Sequence, residues 1–306
     1  METCLFDAII VGGSYAGLSA ALQLGRARRR ILVIDEGLRR NRFAATSHGF
    51  LGQDGRAPNA IADDAREQLL RYPTVEWLND RAEQACGSQD DFTITTAGGG
   101  SFSARRLLLA LGVTDDLPDV AGLQERWGRS VFHCPYCHGF ELDQGEIGVI
   151  ASSHHSMHQA LLLPDWGKTT LVLNGCFEPD EEQREQLDER GVTIEPGKID
   201  RIEKNADLHL EDGRVLNFAG LFVLPQPRIA VPLANQLGCE LEDALYPFIK
   251  TGFTQETSVP GVFACGDAAR AAGSVAVAVG DGNVAGAALH QSLVFRKPEK
   301  RDQVAT

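Results

Sequence analysis

Asp7-Ala-Ile-Ile-Val-Gly12-Gly-Ser-Tyr-Ala-Gly17-Leu-Ser-Ala-Ala-Leu-Gln-Leu24 is followed, a few basic residues later, by Ile31-Leu-Val-Ile34-Asp35-Glu36. A short apolar run stops on a glycine turn, good helix formers at helical spacing follow, and a second apolar run ends on two acids. That order predicts a βαβ unit of about 30 residues with dinucleotide-binding geometry. Gly12 allows the tight turn, Gly17 allows helix and strand to pack closely, and the helix start, with Ser14 and Ala16, faces a pyrophosphate. Ser14 replaces the middle glycine, so the pattern is G-x-S-x-x-G; its small side chain narrows the backbone approach but can donate a hydrogen bond. Asp35 and Glu36 stand where an acid holds a ribose hydroxyl.

Working outward, Phe92–Thr96, a Gly98-Gly-Gly100 turn and Ser101–Ala104 predict a hairpin, and Arg106–Leu111 a further buried strand stopped by Gly112. A second unit begins near 119. Its expected strands are 147–150, 170–173, 191–194 and 221–224, its helices 156–163 and 181–190, and 199–218 reads as a meander. The charge run 181–190 is a solvated helix face. From about 245 the first pattern returns: Val262–Ala264 leads into Cys265-Gly266-Asp267, and a small-residue helix is expected from about Gly280 to Leu293. The fold class expected is α/β, with two doubly wound three-layer dinucleotide-binding-type domains, the second inserted into the first. The expected boundaries are 1–118, 119–243 and 244–306.

The chain of 306 residues suits about two domains, and 29 basic against 42 acidic residues leave a net charge of −13. Such a chain repels phosphate backbones, and its one dense basic run, Arg26–Arg30, sits between a helix and a strand, so nucleic acid is not the expected partner. No run of about 18 apolar residues offers a membrane span. Met1–Asp7 lacks the pattern of a secretory signal, which predicts a cytoplasmic protein with reduced thiols. Of seven cysteines, Cys4, Cys86, Cys176, Cys239 and Cys265 are isolated, the last expected as a packing residue. The other two form Cys134-Pro-Tyr-Cys137, a redox pair or half of a zinc site. No second ligand pair follows at zinc spacing, so no metal is expected. With His138 the run also matches a haem-attachment pattern, whose chemistry belongs outside the cytosol.

Taken together, Gly12–Gly17, Leu109-Ala-Leu-Gly112, Cys134-x-x-Cys137 and Gly261-Val-Phe-Ala-Cys-Gly-Asp267 resemble the low-molecular-weight thioredoxin reductases, FAD-dependent pyridine-nucleotide-disulfide oxidoreductases. Within them, Cys134-Pro-Tyr-Cys-His-Gly-Phe-Glu141 looks most like a divergent branch that includes fungal dithiol oxidases and bacterial reductase-like proteins. The resemblance implies FAD held by the first and last segments, through the residues named above with Gly112, Gly266 and Asp267. Ser274, Val275 and Ala276 would lie against the isoalloxazine, and His48 is a weaker candidate near the flavin. It implies that Cys137 faces the flavin and Cys134 meets the partner's sulfur. His138 takes the place where the reductases carry an acid–base aspartate, and an imidazole suits that task near neutral pH. A homodimer is also implied.

One departure matters. NADPH-using members carry a second glycine-rich turn and an arginine patch for the 2′-phosphate. Here the turn is Ile150-Ala-Ser-Ser-His-His-Ser-Met157, without glycine, and Leu173–Asp180 holds two acids and no arginine. The expectation is an enzyme passing electrons between flavin, the Cys134–Cys137 pair and a thioredoxin-like protein or small dithiol or disulfide, without NADPH. A protein electron donor would serve one direction of flow. The alternatives are an NADPH-dependent thioredoxin reductase, a dithiol oxidase using oxygen, and a non-catalytic flavin- or zinc-binding module. Trp166 and Tyr136 are stacking faces for a planar ligand or plain packing residues.

Overall fold

The computed structural model describes residues 5–242, 244, 246–271 and 273–296. Of the stretch Met1–Asp7 read for a signal, Met1–Cys4 lie outside them. The chain divides into two compact units, one of Met1–Arg40, Asn59–Thr114 and Pro227–Thr306, the other of Asn41–Pro58 and Asp115–Gln226. The return therefore falls at 226/227, beside Pro225-Gln-Pro227, and not at 243/244. Asn41–Pro58, expected in the first unit, groups with the second.

The first unit opens with β1 (Phe6–Val11), α1 (Tyr15–Arg26), β2 (Ile31–Asp35), α2 (Pro58–Leu69), β3 (Val75–Asn79), β4 (Ala82–Ser88), β5 (Asp91–Thr96) and β6 (Ser101–Leu109), and β7 (Val113–Asp116) leads out of it. The second carries β8 (Val131–Phe132), α3 (Pro135–His138), β9 (Gln144–Ile150), α4 (Ser156–Leu162), β10 (Gly167–Val172), α5 (Glu181–Glu189), β11 (Thr193–Glu195), β12 (Ile199–Glu203), β13 (Asp207–Leu210), β14 (Val215–Asn217) and β15 (Gly220–Val223). The chain returns through β16 (Gln226–Ile229), α6 (Leu233–Leu237), β17 (Leu241–Glu242), β18 (Phe248–Ile249), β19 (Val262–Ala264) and α7 (Val275–Phe295).

Among the described residues, the first unit's main sheet has the order β3-β2-β1-β6-β5-β4, with β19 also on β6. Ser101–Ala104 and Arg106–Leu111, expected as separate strands, come together in one strand that β1 flanks on one side and two neighbours share on the other. Its first half pairs antiparallel with β5 (Phe92 opposite Ala104), and its second half runs parallel to β19 (Leu107 beside Val262). Residues Arg106–Leu109 are buried, as parallel strands covered on both faces are. That is why the hydrophobic pattern changes period midway. Helix α7 starts at Val275, five residues before the expected Gly280, because Ser274 caps it by accepting from the Val277 N–H at 3.2 Å. Its glycines let α1 approach: a Cβ on Gly282 would lie 2.1 Å from the Ala16 carbonyl oxygen, and one on Gly286 2.6 Å from that of Ala20.

The second unit has a parallel sheet of order β11-β10-β9-β15-β8 and the antiparallel meander β12-β13-β14. Ile147, Val149, Leu171 and Phe222 form its core with α4 and α5, from which Met157, Ala160 and Leu187 point inward. Along α5 Leu187 alone is buried, so the charge run is a solvated face held by a capping box of Asp180 and Gln183. The twice-used strand–turn–helix unit gives both domains a C-terminal sheet edge where a ligand fits.

Candidate active site

Each unit carries one half of the chemistry. In the first, the turn between β1 and α1 is built for close approach. Gly12 has φ of 101°, and its Cβ would lie 2.1 Å from the Ala110 carbonyl oxygen; a Cβ on Gly17 would lie 1.8 Å from that of Gly12. Ser14 is the N-cap of α1 but makes no side-chain bond to the helix, and the first turn contains no acid. An anion therefore meets only backbone donors and the positive helix end. Asp35 accepts the Gly13 N–H at 2.9 Å through Oδ1, so it braces the turn itself, while Glu36 after it is exposed. Ala16 packs under Gly266, which has φ of 72°. Gly112 follows β6 with φ of 64° and open space beside it.

Asp267 lies in the short turn after β19, and Arg40 Nη1 meets its Oδ2 at 2.8 Å. Arg40, which sequence reading passed over, brings a guanidinium to the acid expected on the ribityl or pyrophosphate part. Ser274 caps α7, with Val275 and Ala276 in the first turn. A side chain on Gly273 would collide with Asp267 Oδ1 at 2.1 Å. This cradle fits FAD: two helix starts, glycines where a Cβ would block the backbone, and Arg40 beside Asp267. Cys265 is fully buried, and burial pushes its thiol far above the ordinary range, consistent with packing.

The second unit holds the sulfur chemistry. Cys134 and Cys137 are joined as a disulfide, with Cα atoms 5.3 Å apart. Cys134 is the N-cap of α3 and Pro135 its first residue, where a missing N–H costs nothing. The His138 ring stacks on Phe132 with centroids 4.4 Å apart. Burial pushes the His138 pKa below its ordinary value, with a smaller upward pull from Glu141 and a downward push from His48. Its neutral form, a proton acceptor, is thereby favoured at neutral pH. Gln159 on α4 donates through Nε2 to the His133 carbonyl at 2.7 Å and fixes the chain just before Cys134. Trp166 packs edge-to-face on Tyr136 at 5.2 Å. Tyr136 and Phe140 are nonetheless 71% and 84% exposed, an apolar rim beside the disulfide. His48, expected near the flavin, belongs to this second unit and faces Glu141 there.

At the C-terminal edge of the second sheet a cavity of about 370 Å³ is lined by Asp116, Ala151, Ser152, Asn174, Cys176 and Leu224, among others. Its turn is closed on itself. The Ser152 N–H donates to Ser156 Oγ at 3.0 Å and the His155 N–H to Ser153 Oγ at 3.2 Å. The Ser152 hydroxyl donates to the Leu224 carbonyl at 2.7 Å. Arg184, the nearby arginine of α5, is spent on Glu178 and the Pro179 carbonyl.

Two dinucleotide-binding-type units, a disulfide on the second and a glycine cradle on the first define a flavin-dependent disulfide oxidoreductase. The chain belongs to the pyridine nucleotide-disulphide oxidoreductase family, whose model matches residues 6–282. It is an FAD-binding, thioredoxin reductase-like enzyme of that family. The chain is similar to thioredoxin reductase sirT of Leptosphaeria maculans, 36% identical with 95% of each chain covered. It is also similar to thioredoxin reductase aclD of Aspergillus oryzae, 30% identical over 98% of this chain and all of the relative. Among solved structures, an oxidoreductase from Agrobacterium tumefaciens is 56% identical with a TM-score of 0.94, covering 96% of this chain and all of that one. The structure of HlmI is 34% identical with a TM-score of 0.88, covering 95% and 93%. No helix among the described residues is long and apolar enough to cross a membrane.

Proposed function

We propose that this enzyme moves electrons between bound flavin and a dithiol or disulfide partner through Cys134 and Cys137, without NADPH. The observation that carries the reading is the turn after β9. Two of its amides, Ser152 and His155, are already taken by Ser156 and Ser153, it has no glycine to admit a pyrophosphate, and Asp116 and Asp119 line the adjoining cavity. Cys134 at the α3 N-cap is the sulfur that meets the partner, and Cys137 exchanges with the flavin side. Bound FAD supplies the two-electron carrier. His138 takes the proton of an incoming thiol, because only the thiolate attacks a disulfide. Gln159 keeps the backbone before Cys134 in register during exchange.

The similarity to thioredoxin reductases sirT and aclD favours a thioredoxin-like protein as partner. The exposed Tyr136 and Phe140 favour an apolar small dithiol, which supports the oxidase direction, with oxygen as the final acceptor, as the second reading. Cytoplasmic location and a homodimer accord with the family resemblance. Anaerobic titration of the flavin band near ~450 nm with NADPH and, separately, with dithiothreitol or reduced thioredoxin tests the reading. Bleaching by dithiols alone is the expected result. Rapid bleaching by NADPH returns the enzyme to the nicotinamide-dependent reductases.

A further inference from the structure

His48 stands between two carboxylates. Its Nδ1 lies 3.5 Å from Asp54 Oδ2 and its Nε2 3.3 Å from Glu141 Oε1. Thr46 Oγ1 is 3.1 Å from the same Nε2. Asp54 is itself held, since the Gly49 N–H donates to its Oδ1 at 2.8 Å. The bridge thus ties the loop 46–54 to the segment that follows the disulfide. Glu141 lies three residues after His138, and His138 directly follows Cys137.

The geometry points to Asp54, His48 and Glu141 as a charge bridge beside His138, with His48 and Glu141 acting as positioning residues for thiol exchange. This rests on the proposed reading of His138 as the proton acceptor. The exchange it serves is balanced as follows. One substrate thiol gives its proton to His138, its sulfur bonds Cys134 Sγ, and the Cys134–Cys137 bond breaks with the electron pair leaving on Cys137. The second substrate thiol gives its proton to Cys134 as its sulfur attacks the first. The substrate leaves oxidised to a disulfide, and the enzyme holds a Cys134 thiol, a Cys137 thiolate and a protonated His138.

The charged groups acting on His138 are Glu141 from its own segment and His48 from the loop, with opposite signs. Those facing His48 are Asp54 and Glu141. The opposed signs make the bridge separable from mere support of the fold. In Glu141→Gln the carboxylate that favours the protonated ring is gone, so the acid limb of kcat/KM for anaerobic flavin reduction by a dithiol moves to lower pH. In His48→Gln the opposing charge is gone, and the limb moves to higher pH. Each shift is expected at about half a unit to one unit, or about three- to tenfold in rate on the limb.

The experiment records the pH profile of dithiothreitol-driven flavin bleaching for the FAD-loaded wild type, His48→Gln, Glu141→Gln and His138→Gln. Flavin content and the oxidised spectrum report folding and cofactor retention. Opposite shifts in the two bridge variants support the inference. Shifts in the same direction, or none in either, overturn it while the His138 reading stands, provided His138→Gln abolishes the limb. If the limb survives in His138→Gln, the reading of His138 is wrong and the bridge falls with it.

Discussion

Gly17 shows how much one missing carbon decides. A Cβ there would sit 1.8 Å from the Gly12 carbonyl, a backbone atom that cannot swing aside. Gly17→Ala is expected to cost about 1–3 kcal/mol or more and to strip FAD from the purified protein. The flavin-to-protein absorbance ratio and a urea melt check this, and full flavin loading would sink the close-approach argument. The residue scale is also where sequence reading reached furthest and then stopped. Gly12, Gly17 and Cys134-x-x-Cys137 are legible because their chemistry depends on spacings of a few residues. Arg40 is not, because its carboxylate partner Asp267 lies 227 positions away. His48 was visible as a residue but not as a role, since Asp54 and Glu141 become its neighbours only through folding. Asp35 illustrates a third case: the position was legible, but Oδ1 is committed to the Gly13 amide.

At the element scale, β6 and α7 are joined by a buried charge. Arg106 on β6 has no exposed side-chain surface and donates to Asp90 Oδ1 at 2.8 Å, Ser292 Oγ at 3.0 Å and the Ser292 carbonyl at 3.1 Å. Removing its carboxylate leaves a buried guanidinium without its counter-charge. Asp90→Ala is therefore expected to destabilise by about 3–5 kcal/mol, with Asp90→Ala/Arg106→Met recovering most of it. Chemical denaturation of the single and double variants checks this; equal losses in both would mean the charge is not the cause. Burial pushes the Asp90 carboxyl up, but Arg106 and Arg105 pull it down further, so its native pKa lies below the ordinary value. The stabilisation is then present above the ordinary aspartate range and is lost as pH falls through the lower native value. Wild type and Asp90→Ala should converge in stability as pH falls well below the ordinary aspartate range. The hydrophobic pattern of β6 was readable residue by residue, yet its continuity was not, because two different neighbours impose two different periods on one strand.

At the scale of the whole molecule, the two units have separate cores and separate chemistry. The residues expected to hold FAD lie in the first unit, except His48, which groups with the disulfide in the second. FAD at a hundredfold excess over its Kd should stabilise its binding unit by about 2.7 kcal/mol. Calorimetry with and without FAD is expected to show the gain in the transition of that unit. An equal gain throughout the melt would show that the units unfold as one.

The sequence by itself determined the two strand–turn–helix units, their nesting, the flavin turn and the sulfur pair, because turns, caps and periodicity act between residues close along the chain. It also carried the loss of glycines after β9, a local fact with a local consequence. Folding alone settled that Asn41–Pro58 groups with the disulfide and that the return falls at 226/227. It alone paired Arg40 with Asp267 and set His48 between Asp54 and Glu141. The long pairings, Arg40 with Asp267 and His48 with Glu141, depend on which side chains meet across the folded chain, and no short window of sequence contains both partners.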